Sequence, residues 1–361
     1  MPAVPKGSLV LVTGASGFIA AHLCSVLLIN GYKVRGTVRS TEKGEYLKRL
    51  FDGVGDFEYV IVEDIADPHA FDEAVKGVDG IAHTASPFYL DAKTHDELLK
   101  PAIEGTVNVM RSAQEFNPHL KRLVITSSVA AVVSPNPSGE KHAGGPPYTM
   151  DEDDWNEYSP KVVEEKGVDA PGSDKYRASK TLAERAAWKF MEDNHPSWDF
   201  ATINPPLVFG PVIHQVESAD KLNTSVANFW AYIEGKKTDD DLKESGGNWV
   251  DVRDVAYAHY AALTTPEAAN QRFIVSAGPF NGQDVVDIIH SFPDQSKRFP
   301  HVPVGKPGAG KEINDKANVF KGEKAERVLG VEYKTLRVCV EDMYKSLEEK
   351  FDDKHVPDHR N

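Results

Sequence analysis

LVLVTGASGFIAAHL, residues Leu9 to Leu23, has the pattern of a buried strand, a glycine turn and an amphipathic helix that begins near Phe18. Gly14 allows the tight turn, and Gly17 lets the backbone approach a pyrophosphate seated against the N-terminal N–H groups of the helix. The third small position is Ala20, so the pattern is G-x-x-G-x-x-A and departs from G-x-G-x-x-G. The stretch predicts a dinucleotide site, with a plain strand-to-helix turn as the alternative.

Short β-rich segments separated by helix-length amphipathic stretches recur along the chain, which is typical of a parallel sheet covered on both faces. The predicted strands are Leu9 to Thr13, Lys33 to Val38, Phe57 to Val62, Gly80 to Thr84, Arg122 to Ser127, Asp199 to Ile203 and Arg272 to Ser276. Seven strands fit one doubly wound α/β sheet of Rossmann type. We expect a nucleotide-binding domain over 1–204, to which 249–277 return, and a smaller substrate-binding lobe over 205–248 and 278–361.

Composition restricts the partners and the compartment. The 361 residues include 41 Lys and Arg against 55 Asp and Glu, a net charge of −14 that repels nucleic acid. The longest apolar stretch, Phe18 to Ile29, is shorter than the roughly 20 residues that cross a bilayer, so we expect no membrane contact. The start of the chain does not resemble a signal peptide, and Cys24 and Cys339 are expected to be buried thiols. The sequence predicts a cytoplasmic protein and leaves its oligomeric state open.

The end of the second strand distinguishes NAD from NADP, because NAD sites place a carboxylate there for the ribose 2′-hydroxyl. This strand continues as KVRGTVRSTEK, with no carboxylate before Glu42. Arg39 stands at its end and Lys43 follows four residues later, and both cations suit a 2′-phosphate. The alternative is a solvated basic loop.

Polar residues also follow the third and fourth strands. Asp64 in VEDIAD lies where its carboxylate could accept a hydrogen bond from the adenine amino group, with Ile65 beside the ring, although a plain turn would also explain the Asp. In HTASP, Thr84 and Ser86 are predicted at the carboxyl edge of the sheet, where the ribose and nicotinamide should lie.

A nicotinamide enzyme that acts on a carbonyl needs a proton donor, which a Tyr with a Lys one helical turn later can supply. The ammonium stabilises the phenolate and so lowers the phenol pKa from its usual value of about 10. Three pairs have this spacing: Tyr89 with Lys93, Tyr176 with Lys180, and Tyr232 with Lys236. Tyr176 is predicted to open a helix that leads into the sixth strand, which favours Tyr176 and Lys180 as the working pair.

The fifth strand ends in the polar triplet Thr126, Ser127 and Ser128. At least one hydroxyl should emerge at the sheet edge, where it could polarise a carbonyl and stabilise the developing alkoxide. The alternative is that the hydroxyls bond to backbone at a strand terminus. The residues by themselves do not choose between these interpretations.

Together these motifs resemble the extended short-chain dehydrogenase/reductases, and within them the dihydroflavonol reductase and cinnamoyl-CoA reductase branch with its fungal aldehyde and ketone reductases. The resemblance covers about Leu9 to Ser276. The motifs that carry it are TGASGFIA, VRGTVRSTEK, VEDIAD, HTASPF, GTVNV, VITSSVAAV, DEDDW, YRASK and NPPLVFGP.

The resemblance implies an NADPH-dependent carbonyl reductase with Ser128, rather than Ser127, as its catalytic serine. Tyr176 would protonate the carbonyl oxygen, and Lys180 would hold the nicotinamide ribose and lower the tyrosine pKa. The expected cofactor contacts are Gly14, Ser16, Gly17, Phe18, Ile19, Arg39, Lys43, Asp64, Ile65, Thr84, Ser86, Tyr176, Lys180, Pro205 and Val208. Of these, Pro205 and Val208 should border the nicotinamide, and Asn108 of GTVNV is expected to give structural support beneath the site.

Three other patterns are not assigned a ligand. GKPGAGK, from Gly305 to Lys311, matches a phosphate loop in its glycines and lysine, but Glu312 replaces the Ser or Thr that binds Mg²⁺. The acidic runs near Asp151 and at 239–241 are interpreted as helix caps or solvated loops, so no metal is expected. Asp254 is predicted to be the N-cap of a following helix.

Two rival functions remain open from the sequence. One is another enzyme of this fold, a nucleotide-sugar epimerase or a hydroxysteroid dehydrogenase; the other is a catalytically silent NADP-binding regulator. The substrate is expected to be an uncharged, moderately bulky aldehyde or ketone, because apolar and aromatic residues are predicted around its pocket. These are Phe88, Tyr89, Phe209 and Trp230.

Overall fold

The computed structural model describes residues 3–86, 95–135, 137, 140–293 and 299–351. Its strands are β1 (Leu9–Thr13), β2 (Lys33–Val38), β3 (Phe57–Ile61), β4 (Gly80–His83), β5 (Arg122–Thr126), β6 (Thr149–Met150), β7 (Asp199–Asn204), β8 (Leu207–Phe209), β9 (Ser245–Asp251), β10 (Gln271–Ile274), β11 (Gly278–Asn281) and β12 (Val319–Phe320). Its α-helices are α1 (Phe18–Ile29), α2 (Thr41–Leu50), α3 (His95–Phe116), α4 (Tyr158–Lys166), α5 (Gly172–Asn194), α6 (Thr224–Ile233), α7 (Val252–Thr264), α8 (Gly282–Ile289), α9 (Gly310–Asn314), α10 (Glu323–Leu329) and α11 (Leu336–Phe351).

The main sheet is parallel and, over the described residues, has seven strands in the order β10-β7-β5-β4-β1-β2-β3. All seven predicted strands are confirmed, with ends that shift by no more than two residues. The order reverses between β1 and β4, so the loops after these strands diverge and leave a crevice at the carboxyl edge. The doubly wound α/β fold is confirmed, and it places the predicted site at this crevice.

The side chains of the central strands point alternately into two apolar layers, one on each face of the sheet. Val10 and Val12 pack in the cluster that contains α1 and α7, whereas Leu11 packs in the cluster that contains α3 and α5. Successive side chains of a strand point to opposite faces, so a central strand with helices on both faces must be apolar at every position. Full burial of a side chain such as Leu11 contributes about 2 kcal/mol to the free energy of unfolding.

The segments predicted to form the smaller lobe contain α6 and contribute to a second, three-stranded sheet in the order β11-β9-β8, of which β9 extends into 249–251. Between β9 and β11, α7 packs on α1 and β10 pairs with β7 of the main sheet. These contacts support the predicted division, which remains a prediction. β6 pairs with β12, so a loop of the larger part is tied to the C-terminal segment.

Two sequence predictions about helix starts are wrong. α5 begins at Gly172, four residues before the expected start at Tyr176, and Pro171 is its N-cap. The N-cap of α7 is Asp251, whose side chain accepts a hydrogen bond from the Arg253 N–H; Asp254 lies inside the first turn and binds Lys334 instead. Both acids lie within one turn of the helix start, and only the tertiary contact of Asp254 with Lys334 separates their roles.

The phosphate-loop-like segment already has partners in the protein. The N–H of Gly305 donates to Asp239 at 2.9 Å, and that of Gly308 donates to Asp287 at 2.8 Å. The helix that follows, α9, has five residues. Carboxylates bound at these N–H groups disfavour a phosphate.

Cys24 and Cys339 are free and buried, as predicted. No helix in the described ranges combines the length and the apolar character that a bilayer crossing requires. Within those ranges, no group of three or more His, Cys, Asp or Glu side chains is arranged to hold a metal ion.

Candidate active site

The glycine turn lies at the crevice between β1 and β4. Gly14 has a φ of +64°, and a Cβ built on it would lie 3.1 Å from the Ala85 Cα of the loop after β4. Its N–H donates to Thr37 Oγ1 at 2.9 Å, which ties the turn to β2. Both the positive φ and the close approach require glycine, as the sequence pattern indicates.

The helix that follows this turn leaves its N-terminus available to a ligand. Gly17 is the N-cap of α1 and makes no side-chain hydrogen bond to the first turn, whereas α2 and α8 are capped by Ser40 and Asn281. The N-terminal N–H groups of a helix without a side-chain cap can bind an anion. This end of α1 fits the pyrophosphate of a dinucleotide, with Ser16 and Ile19 partly exposed beside it and Phe18 largely buried.

The two predicted cations stand at the start of α2. Arg39 and Lys43 are exposed, and neither forms an ion pair with a carboxylate of the described residues. Glu42, the nearest acid, accepts a hydrogen bond from Gln215 at 2.9 Å. The end of β2 therefore presents positive charge to solvent and fits a 2′-phosphate better than a ribose hydroxyl.

The loop after β3 is held by hydrogen bonds from a side chain of α3. Asp64 is exposed and its carboxylate accepts a hydrogen bond from the Ala66 N–H at 2.9 Å, so in this structure Asp64 makes a turn. The Asn108 side chain donates to the carbonyls of Ile65 at 3.2 Å and Asp67 at 3.1 Å. Asn108 thus supports this loop from α3, while the second oxygen of Asp64 can still accept from an adenine.

Tyr176 and Lys180 lie one turn apart on α5, and so on the same face of the helix. The Tyr176 side chain is 40% exposed, and Lys180 Nζ donates to Ser86 Oγ at 3.0 Å. Thr84 donates through Oγ1 to the Thr13 carbonyl, which fixes the end of β4 against β1. The structure therefore brings Lys180 to the predicted ribose side of the crevice.

The pair Tyr232 and Lys236 does not form a comparable arrangement. Lys236 follows the end of α6 and pairs with Glu234 at 2.8 Å, whereas the ring of Tyr232 contacts Lys237. Tyr89 and Lys93 lie outside the described residues, as does Phe88.

The polar triplet after β5 divides between three surroundings. Thr126 Oγ1 bonds to His259 of α7 at 2.6 Å, and Ser127 Oγ donates to Glu184 of α5. Ser128 Oγ accepts from the Ala130 N–H at 3.1 Å and lies 3.4 Å from the Pro205 carbonyl. All three hydroxyls have protein partners, but only Ser128 bonds to backbone, as the alternative predicts. Ser128 is also the one whose longest bond a substrate oxygen could replace.

Sequence reasoning missed a buried acid beneath these serines. Glu184 is 2% exposed and lies one turn after Lys180 on the same face of α5. Its carboxylate accepts from Arg272 at 2.6 Å and from Asn204 at 2.7 Å, and Asn204 also donates to the Ser128 carbonyl at 3.2 Å. The i, i+4, i+8 spacing from Tyr176 was the available signal; its partner on β10 could not be identified from spacing.

Two predicted cofactor contacts follow β7. Pro205 is buried, and its carbonyl accepts from the Val129 N–H at 3.1 Å, which joins the segments after β5 and β7. Val208 on β8 is 8% exposed, and its carbonyl accepts from the Ser225 hydroxyl. Pro205 is therefore joined to the segment that carries Ser128, whereas Val208 is held by α6. Their contact with the nicotinamide stays a prediction.

Phe209 and Trp230, which we expected around the substrate, are core residues of the smaller lobe. Phe209 packs edge-on against Phe280, and Trp230 packs against Phe351. Both are less than a tenth exposed. Phe209 also lines a cavity of about 210 Å³, together with Tyr232 and Phe280, so its place around the substrate stays a prediction.

Comparison with known proteins identifies a family and several relatives. Residues 10–278 match the model of the NAD dependent epimerase/dehydratase family. A ketoreductase of Aspergillus niger is 38% identical over 94% of this chain and 98% of its own length. The NADPH-dependent methylglyoxal reductase GRE2 of Saccharomyces cerevisiae is 35% identical over 92% of this chain and 96% of its own.

Solved structures agree with these relatives. Gre2 of Candida albicans in complex with NADPH superposes with a TM-score of 0.83 at 37% identity, covering 96% of this chain and 100% of that one. The yeast methylglyoxal/isovaleraldehyde reductase Gre2 complexed with NADPH gives a TM-score of 0.81 at 32% identity, covering 95% and 98%. The coverage extends beyond the nucleotide-binding half to the smaller lobe.

Proposed function

This chain belongs to the NAD dependent epimerase/dehydratase family, the extended short-chain dehydrogenase/reductases, and from that premise we propose that it is an NADPH-dependent carbonyl reductase. It reduces an aldehyde or ketone to an alcohol. The observation that carries the proposal is the position of Lys180, bound to Ser86 at the crevice and one turn from the exposed Tyr176. A binding protein has no use for a phenol placed one helical turn from an ammonium at this edge of the sheet.

The coenzyme is NADPH, and the site residues assigned to it remain our proposal. The free end of α1, with Gly14, Ser16, Gly17, Phe18 and Ile19, would hold the pyrophosphate. Arg39 and Lys43 would bind the 2′-phosphate, and Asp64 with Ile65 the adenine. The remaining contacts, to the ribose and nicotinamide, are assigned to Thr84, Ser86, Tyr176, Lys180, Pro205 and Val208.

When bound, NADPH supplies the hydride that is added to the carbonyl carbon. Tyr176 donates its phenolic proton to the carbonyl oxygen, and the Lys180 ammonium stabilises the phenolate that remains. Ser128 exchanges its 3.4 Å contact with the Pro205 carbonyl for a hydrogen bond to the substrate oxygen, and so fixes that oxygen next to Tyr176. These three roles need side chains from β5 and α5 to meet, and the Ser127–Glu184 bond holds these elements together.

The substrate is a small carbonyl compound, and we propose that it is uncharged and moderately bulky. The name of the yeast relative, methylglyoxal reductase, supports a carbonyl substrate. The free, buried thiols of Cys24 and Cys339 support the expected reducing, cytoplasmic location.

The function is tested by mixing the purified protein with NADPH or NADH and a panel of aldehydes, ketones and nucleotide sugars. We expect carbonyl-dependent loss of the dihydronicotinamide absorbance with NADPH, and much slower loss with NADH. Conversion of a nucleotide sugar with no net oxidation of coenzyme would instead identify an epimerase. Tight NADPH binding without turnover on any carbonyl would identify a regulator.

A further inference from the structure

A small cavity beneath Lys180 is lined by a buried histidine that the proposed mechanism does not use. The cavity, about 20 Å³ in volume, lies between β4, β5, α3 and α5. Its polar lining consists of His83, Ser86, Thr106, Thr126, Ser127, Lys180 and Glu184. The titratable groups that face it are His83 from β4 and Lys180 and Glu184 from α5.

The hydrogen bonds around His83 determine which of its ring nitrogens carries the proton. Thr13 Oγ1 accepts from the N–H groups of Thr84 and Ala85, each at 3.1 Å, so both of its lone pairs are used. The single Thr13 hydroxyl proton is therefore donated to His83 Nδ1 at 2.9 Å. The neutral ring then carries its proton on Nε2, as an N–H donor.

This donor is buried without a protein partner. His83 is 1% exposed, its ring packs edge-on against Phe71, and Nε2 makes no hydrogen bond to a described residue. A buried N–H of this kind destabilises the fold unless it finds an acceptor. Burial also lowers the pKa of His83 to about 3, so the ring stays neutral at working pH.

The cavity offers the required acceptor. A volume of about 20 Å³ exceeds the roughly 10–15 Å³ that one water needs, and the lining is polar. Thr106 donates to the Ala102 carbonyl and Ser127 donates to Glu184, so both hydroxyl oxygens can accept protons from such a water. The oxygen of the water can then accept from His83 Nε2–H and from Lys180 Nζ.

We propose that His83 is a positioning residue for Lys180, acting through one water in this cavity. The Nε2–H of His83 orients the water so that a lone pair faces Lys180 Nζ. The water gives the ammonium one fixed acceptor beneath the site, so its two other protons are directed towards the crevice, where Ser86 lies and where the nicotinamide ribose and Tyr176 are assigned. This inference rests on the proposed function, because it concerns the acidity of that phenol.

The test uses two substitutions that keep opposite halves of the ring. Gln places an amide near the Nε2 position and can still donate into the cavity, whereas Asn places its amide near Nδ1 and reaches only Thr13. If His83 only fills space, His83→Asn and His83→Gln should behave alike. If His83 orients the water, we expect His83→Asn to lower kcat by about tenfold, the effect of one charge-assisted hydrogen bond. His83→Gln should retain most of the wild-type kcat.

The pH profile separates positioning from general damage. A less well placed Lys180 changes the charge around the proton donor, so the pH profile of kcat for reduction should differ from the wild-type profile in His83→Asn and match it in His83→Gln. The NADPH dissociation constant, from coenzyme fluorescence, should change by less than about threefold. Equal profiles for the two variants, or a wild-type profile in His83→Asn, would overturn the inference while leaving the reductase function intact.

A measurement on the unaltered protein covers the case in which the variants fail to fold. A high-resolution crystal structure of the wild-type protein with NADPH should show one water within hydrogen-bond distance of both His83 Nε2 and Lys180 Nζ. Density for no water there, or for a water bound to only one of the two atoms, contradicts the inference. Absence of carbonyl reduction by the wild-type protein would refute the proposed function instead.

Discussion

Arg39 is the residue on which the choice between NADPH and NADH depends in our proposal. Its guanidinium is exposed at the end of β2 and can bind a 2′-phosphate through two parallel hydrogen bonds, which NADH cannot make. We expect Arg39→Ala to raise the KM for NADPH by about ten- to hundredfold, the value of one or two charge-assisted contacts. The KM for NADH should stay within about twofold, since NADH has no group there.

The control for this change is Arg49→Ala. Arg49 is an exposed arginine near the other end of α2, so its removal makes the same change in net charge. It should leave both KM values unaltered. An equal rise for NADPH and NADH in Arg39→Ala would show that Arg39 supports the fold of the loop rather than the 2′-phosphate.

Tyr176 is the proposed proton donor, and its substitution separates chemistry from binding. Tyr176→Phe keeps the ring and removes the hydroxyl, so we expect kcat to fall by at least about a hundredfold, the usual contribution of a general acid. NADPH affinity, measured by fluorescence titration, should change little. Tyr158→Phe, at an exposed tyrosine at the start of α4, is the matched control. Undiminished turnover in Tyr176→Phe would refute the assignment.

At this scale the sequence identified residues by type and spacing, but not by contact. The spacing of Tyr176 and Lys180 placed them on one helical face, and the glycine pattern located the turn at Gly14. Spacing from Tyr176 placed Glu184 on the same helical face, but neither Glu184 nor His83 could be assigned a role, because a buried histidine or acid becomes notable only when its partners from other strands are known.

Glu184 of α5 and Arg272 of β10 form a buried ion pair that joins a helix to the main sheet. The guanidinium also donates to the Asp154 carbonyl at 2.8 Å and lies 3.8 Å from the centre of the Trp155 ring. Glu184 in turn binds Asn204 of β7. Loss of one charge of this pair leaves the other buried without compensation.

We therefore expect Glu184→Gln to lower the free energy of unfolding by about 3 kcal/mol, measured by urea denaturation. The double variant Glu184→Gln with Arg272→Met should recover part of this loss, because it removes the uncompensated charge as well. Strictly additive losses in this cycle, or a loss below about 1 kcal/mol in the single variant, would show that the pair is not coupled.

Element boundaries show where local pattern competes with tertiary contact. The apolar runs fixed the strands to within two residues. The start of α7 was assigned to Asp254, although Asp251 makes the cap, since both acids have cap chemistry and Lys334 arrives from a distant segment. Trp230 is a second example of tertiary contact: the sequence placed it near a predicted pocket, and in the fold it packs against Phe351 in an apolar core.

For the whole molecule, four buried histidines predict sensitivity to mild acid. Burial lowers the pKa of His22, His214 and His259 to about 4 and that of His83 to about 3, from an ordinary value of 6.5. Below pH 6.5 the unfolded chain binds protons that the folded chain does not, so stability is complete above pH 6.5 and is lost as the pH falls towards 4.

Each of these four histidines lowers the free energy of unfolding by up to about 1.4 kcal/mol for every pH unit by which the pH falls in that window. Carboxyls whose burial raises their pKa, Glu152, Asp254 and Asp284, act with the opposite sign, so the net loss is smaller than the sum. Urea denaturation at pH 7, 6 and 5 should show a falling free energy of unfolding.

The substitution His22→Gln tests the cause of this pH dependence. Gln retains a donor for the Pro211 carbonyl but does not titrate. The slope of the free energy of unfolding against pH should therefore decrease by about the contribution of one histidine. A free energy of unfolding independent of pH between 7 and 5 in the wild-type protein would contradict the prediction.

The sequence by itself determined the doubly wound sheet, the glycine turn and the pairing of Tyr176 with Lys180, because strand periodicity, positive φ and helical spacing are properties of neighbouring residues. Only the tertiary structure decided that Ser127 faces Glu184 while Thr126 faces His259, which lie 57 and 133 residues away. A strand sends successive side chains to opposite layers, and which helix fills each layer depends on the order in which distant strands pair.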